Sequence, residues 1–201
     1  MNPTIVNGVG SYLDSSAPGV IRFVQAKNFT KMTKVRKVKL VVIHDMEGAE
    51  TAEKAENVAL WFAGLNPVYT APRASAHYAI DCDSVVQMVS ENDIAWHAPG
   101  ANQSGIGIEH AGLAKQTTLE WMDKFSRPML LISAGLTARI CKRYGLPVQF
   151  VDKDGLLANV SGITTHREVN AAFKKSTHTD PGPNFPLSWY IQQVQTALAL
   201  L

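Results

Sequence analysis

Cysteine is nearly absent from these 201 residues: only Cys82 and Cys141 occur, far apart and in no metal-type spacing. A disulfide framework is therefore not indicated, and a reduced, intracellular history is compatible with the chain. An excess of charge of one sign is lacking too. Nineteen basic against 17 acidic side chains leave a formal net charge of +2, which makes no electrostatic case for a nucleic-acid partner. No run approaches the roughly 18 apolar residues of a membrane span, so no membrane anchor is expected. The stretch Met1-Asn2-Pro3-Thr4-Ile5-Val6 has no basic segment leading into an apolar one, so it does not read as an export signal. Two catalytic signatures are missing as well. There is no His-Glu-x-x-His helix and no Gly-x-Ser-x-Gly elbow, which removes the commonest metalloprotease and serine-hydrolase patterns.

What is present is an ordinary globular composition, 46% hydrophobic and 18% charged, in a length that suits one domain with or without an extension. Residues 1–35 are polar, rich in Gly, Ser and Asn, and weakly patterned; they read as an N-terminal arm packed on a domain of residues 36–201. The nearly continuous apolar run Val38–His44 predicts a central strand covered on both faces. A helix follows at 51–64, with Thr51 as its cap and Ala55, Val58, Ala59 and Phe62 at helical spacing. Residues 77–80 and 85–89 read as strands joined by a turn at 82–84, and 106–110 as a short strand. A long helical region spans 119–144, which Pro128 either breaks or restarts, and Gly145-Leu146-Pro147 closes it. Residues 162–166 read as a strand leading to a loop, and 188–200 as a final helix capped by Ser188. The fold class is α/β (α+β): a single domain with one central mixed sheet flanked by helices.

Six histidines occur, at 44, 77, 97, 110, 166 and 178. A lone histidine is more often a surface or core residue than a ligand, but context singles out some of these. His44 and His166 end predicted strands, where an imidazole emerges at the rim of a sheet. The segment Thr177-His178-Thr179-Asp180-Pro181-Gly182-Pro183 has a stiff turn just after Asp180. Two imidazoles and one carboxylate make a three-ligand zinc site with an open fourth position, the catalytic rather than the structural pattern. Taken alone, Asp180 reads better as a turn-capping residue, and His178 is an alternative ligand on the same face.

Five segments then occur in order: Val41-Val42-Ile43-His44, Ser75–Ile80, Ala95-Trp96-His97-Ala98, Ser104–Glu109 and His178–Pro183. Over residues 38–190 they resemble the N-acetylmuramoyl-L-alanine amidase type 2 family, which includes phage endolysins, wall-recycling amidases and peptidoglycan-recognition proteins. The resemblance implies a peptidoglycan-recognition-protein-like fold, zinc (Zn2+) as cofactor, zinc ligands at His44, His166 and Asp180, and a catalytic acidic residue at Glu109. Many family members carry lysine where this chain has His178. That lysine is thought to stabilise the oxyanion, a role an imidazole can share with more dependence on pH. The expected partner is peptidoglycan or its muropeptides.

Trp96 and His97 are assigned to the cleft wall. Arg167 is a candidate for holding a substrate carboxylate, with a surface salt bridge as the alternative, and His77 and His110 are read as structural. The implied activity is hydrolysis of the amide between N-acetylmuramic acid and L-alanine. The implied setting is a phage or prophage endolysin, made in the cytoplasm without a signal peptide and acting on the wall once released. Alternatives are a cytosolic amidase recycling wall fragments and a non-catalytic binding module, the latter disfavoured because all three ligand positions are filled.

Overall fold

The run Leu40–Asp45 is buried along its whole length because both faces of the strand it forms are covered. The structure, a computed structural model, describes residues 4–6, 9–12 and 21–201, with side chains from residue 22 onward. In chain order the strands are β1 (Thr4–Val6), β2 (Val9–Tyr12), β3 (Ile21–Val24), β4 (Phe29–Thr30), β5 (Leu40–Asp45), β6 (Tyr78–Ile80), β7 (Val85–Gln87), β8 (Ile94–Ala95), β9 (Gly105–His110) and β10 (Gly162–Thr165). Eight of them make one mixed sheet in the order β1-β2-β3-β7-β6-β9-β5-β10, while β4 and β8 pair separately. The four strands β6, β9, β5 and β10 run parallel to one another.

The helices are α1 (Lys54–Ala63), α2 (Thr118–Trp121), α3 (Ser126–Tyr144), α4 (Lys153–Leu157), α5 (His166–Phe173) and α6 (Leu187–Ala199). Strand alternation divides them between the two faces. Val41 and Ile43 of β5, with Ile106 and Ile108 of β9, pack against Met129, Leu130 and Ile140 of α3 and Tyr190 and Val194 of α6. On the opposite face, Leu40 and Val42 meet Leu156 of α4 and Val169 of α5. Further along that sheet, Ala79 and Val86 pack with Val58 and Phe62 of α1. Each such aliphatic side chain taken fully from water contributes about 1.5–3 kcal/mol.

Several boundaries differ from the sequence reading, for identifiable reasons. Thr51 does not cap α1. The helix starts at Lys54, and its Ala55 N–H is capped from a distance by Asp81 Oδ2 at 2.9 Å. The break in the long helical region lies between Trp121 and Ser126, where Asp123 Oδ1 accepts from the N–H groups of Phe125 and Ser126. Pro128 then sits in the first turn of α3, where its missing N–H costs nothing. Residue 166 does not enter a loop. Thr165 accepts from Glu168 N–H and caps α5, so β10 runs straight into a helix. Helix α6 begins at Leu187, with Pro186 rather than Ser188 in the cap position. Within residues 1–35, strand β3 pairs in parallel with β7, and β2 and β1 extend the sheet beyond it.

Candidate metal centre and active site

Parallel pairing sets the site. In the register of β5 with β9, His44 lies beside Glu109, and β10 pairs Thr165 with Ile43. The residue after Thr165 is His166, so three candidate side chains leave neighbouring strands at the same level, at their carboxyl ends. That end of an open α/β sheet is where crevices form. Asp180 arrives from the segment after α5, fastened by Arg167 N–H donating to the Asp180 carbonyl at 2.9 Å. Gly182 fixes its path, because at φ +83 a Cβ there would lie 1.8 Å from the Ala114 carbonyl oxygen. Any side chain there would force the backbone to shift.

His44, His166 and Asp180 are buried and offer ligand atoms that all lie within 4.8 Å of one another. His44 Nδ1 is 3.0 Å from Asp180 Oδ2, and His166 Nδ1 is 3.0 Å from Asp180 Oδ1. Yet Asp180 Oδ1 is buried with no hydrogen-bond donor of proper geometry. An ionised oxygen left so is costly, and a cation facing the two Nδ1 atoms and this carboxylate relieves it. The donor set therefore fits a metal ion, and among metals two imidazoles plus a carboxylate suit zinc.

His178 stacks on His166 with ring centroids 4.6 Å apart and planes 16° apart, and its Nδ1 is 3.5 Å from Asp180 Oδ1. It is exposed, unlike the three ligand candidates. Glu109 is half-buried at the cavity wall. Burial, then the negative charges of Asp180 and Asp45, push its carboxyl well above the usual range. Asp180 itself would be raised by burial, but its contacts with His166 and His44 outweigh that and hold it below the ordinary range. Burial lowers both His44 and His97, which favours their neutral forms.

The cavity has a volume of about 260 Å³ and includes Trp61, Phe62, Trp96, His97, Glu109, His166, His178 and Asp180 among its lining. Trp96 is partly exposed at its rim, and its indole N–H donates to Thr30 Oγ1 at 2.9 Å. Arg167 is not among the lining residues; its guanidinium lies 3.2 Å from Glu168, the surface-pair alternative. His77 and His110 sit away from the cavity, fully buried and hydrogen-bonded within the fold. Several lining residues, Trp61 and Asp45 among them, were not singled out by the sequence reading. Asp45 follows His44, accepts from Glu47 N–H at 2.8 Å, and is pushed up to about 8 by burial. Its place at a strand end before a loop was the available signal.

The sequence model described as N-acetylmuramoyl-L-alanine amidase matches residues 34–183. N-acetylmuramoyl-L-alanine amidase A of Achromobacter lyticus is 35% identical over 138 residues, 65% of this chain and 71% of that protein. Among solved structures, Staphylococcus aureus hydrolase AmiA in complex with its ligand superposes with a TM-score of 0.64 at 16% identity, covering 86% of this chain and 78% of that one. An AmpD derivative gives 0.59 at 20% identity over 89% and 94%. The N-acetylmuramoyl-L-alanine amidase LysC from Clostridium intestinale gives 0.55 at 17% identity over 86% and 95%. These structural likenesses establish a shared mixed α/β fold.

Proposed function

We propose, from the premise that this chain belongs to the N-acetylmuramoyl-L-alanine amidase family, that it is a zinc-dependent hydrolase of peptidoglycan. The bond cut is the amide between the lactyl group of N-acetylmuramic acid and the L-alanine of the stem peptide. The observation that carries the metal reading is the Asp180 carboxylate: its Oδ1, buried without a donor, lies 3.0 Å from His166 Nδ1, and its Oδ2 lies 3.0 Å from His44 Nδ1. His44, His166 and Asp180 are the ligands in this reading. A zinc ion held there supplies Lewis acidity, which lowers the pKa of water and polarises the carbonyl.

The chain's own residues then handle protons and charge. The water oxygen bonds to the carbonyl carbon as its proton passes to a Glu109 carboxylate oxygen. The same carboxyl returns that proton to the alanine nitrogen as the carbon–nitrogen bond breaks. A carboxyl whose pKa is raised by its surroundings is the better proton acceptor for this work. His178, exposed at the rim and stacked on His166, donates a hydrogen bond to the developing oxyanion. Trp96 offers a stacking surface to sugar or peptide. The biological setting we assign is a phage or prophage endolysin, because exposed Trp96 and His178 leave the cleft open to a polymer.

Product analysis with purified peptidoglycan, with and without a zinc chelator, tests this. New L-alanine amino termini without new reducing sugar ends are expected, abolished by chelation and restored by zinc. Cleavage that survives the chelator would sink the metal assignment. Equal or better turnover of soluble muropeptides than of intact sacculi would replace lysis with recycling.

A further inference from the structure

We infer that His97 is a positioning residue, whose Nδ1 accepts the Nε2–H of His44 and so holds that ring with its Nδ1 lone pair turned to Asp180 and His166. This rests on His44 being a metal ligand, as read above. The two ring nitrogens, His44 Nε2 and His97 Nδ1, lie 3.0 Å apart in a buried setting. Between two neutral imidazoles, one nitrogen must bring the proton and the other the lone pair. His44 Nδ1 is the atom 3.0 Å from Asp180 Oδ2, and a cation there needs it bare. The His44 proton therefore sits on Nε2, and His97 Nδ1 is its acceptor. Histidine ligands are ordinarily oriented by a carboxylate, carbonyl or water; in this chain an imidazole fills that place.

The backbone and one face of the His97 ring are held by neighbours. Its Nε2, which carries the proton in this assignment, is buried with no hydrogen-bond partner among the described residues, so the His44 contact is the one that orients the ring's polar edge. Asn102 Oδ1 accepts from His97 N–H at 3.0 Å and from Ala98 N–H at 2.6 Å, which fastens the backbone after β8. The ring lies over Gly107 of β9, where a Cβ would come within 2.6 Å of His97 Cγ. His77 meets it edge-on, with centroids 5.7 Å apart. A glycine in a strand interior weakens the strand, and close approach of another group is one reason to keep it.

Zinc affinity of the full chain, measured by competition with a chromophoric chelator, distinguishes the roles in wild type, His97→Leu and His97→Asn. The asparagine variant places Oδ1 on the same branch point as Nδ1 and keeps an acceptor. Leucine is expected to weaken zinc binding by about 10–100-fold, the usual cost of losing an outer partner, and asparagine to stay close to wild type. Nitrogen NMR of the zinc-loaded wild type should show His44 protonated at Nε2. Unchanged affinity in His97→Leu, equal losses in both folded variants, or a His44 proton on Nδ1 would overturn the inference. Should the leucine variant not fold, the wild-type tautomer decides. A wild type that binds no zinc overturns the metal centre itself, before any variant is compared.

Discussion

Glu109 and Asp180 share one cavity, and the site drives their protonation in opposite directions. That contrast separates a proton carrier from a permanent anion, and the two predict different failures. Glu109→Gln should lower amidase turnover by about 10²–10⁴-fold while bound zinc per chain, read by elemental analysis, stays the same. Asp180→Asn should lose zinc by more than the about 10–100-fold of an outer-partner change, and activity with it. If both variants kept their metal, the carboxylate assigned as a ligand would be wrong. His44 and His166 were singled out because each ends a predicted strand, whereas Asp180, which alone reads as a turn cap, and Glu109 entered through the family resemblance. The pairing of His97 with His44 was not legible in the sequence. It depends on ring orientation across 53 residues of chain, which no spacing encodes. Asp45 was missed because an Asp at a strand end, the signal the sequence offered, reads equally as a turn former; its burial tells the two apart.

Among the elements, the long apolar strand β5 and the main helices were readable from periodicity, whereas their caps often were not. Helix α1 shows why. Its first turn is capped by Asp81, 26 residues away, rather than by a local side chain. Removing that carboxylate in Asp81→Ala should cost about 1 kcal/mol, seen as a lower denaturant midpoint with no change in zinc content. Strands β1 to β3 were unread because their alternation is weak; β3 takes its place in the sheet by pairing with β2 on one side and β7 on the other. The segment holding Asp180 makes a sharper prediction. Gly182→Ala forces a methyl into the Ala114 carbonyl, so the segment must shift, at a cost of about 1–3 kcal/mol. Both melting temperature and zinc affinity should fall. Loss of stability with zinc affinity intact would mean that Asp180 is placed by something else.

At the scale of the whole molecule, acid sensitivity follows from two histidines buried outside the cavity. His110 donates through Nδ1 to the His44 carbonyl and bonds through Nε2 to Ser133, and burial lowers it to about 4. Burial, with Arg36 nearby, lowers His77 to about 3. The unfolded chain takes up these protons first, near pH 6.5, so stability is full above that pH and drains away as pH falls toward the folded values. For His110 alone the loss by pH 4 is about 3 kcal/mol. Asp45 and Glu109, with raised carboxyls, contribute in the opposite sense as pH falls, so the test is the difference between wild type and His110→Gln: from pH 7.5 to 4.5 in chelator the variant's denaturant midpoint should lose less than that of wild type. Identical pH slopes in the two proteins would show that His110 titrates normally. The separation of His44 from Asp180 by 136 residues also has a meaning in time. At about 5–20 residues per second of synthesis, on the order of ten seconds pass between the synthesis of the first proposed ligand and that of the proposed carboxylate partner. Under the proposed ligand set, a nascent chain in that interval carries the histidine without the carboxylate, so the metal centre can form only when synthesis is nearly finished.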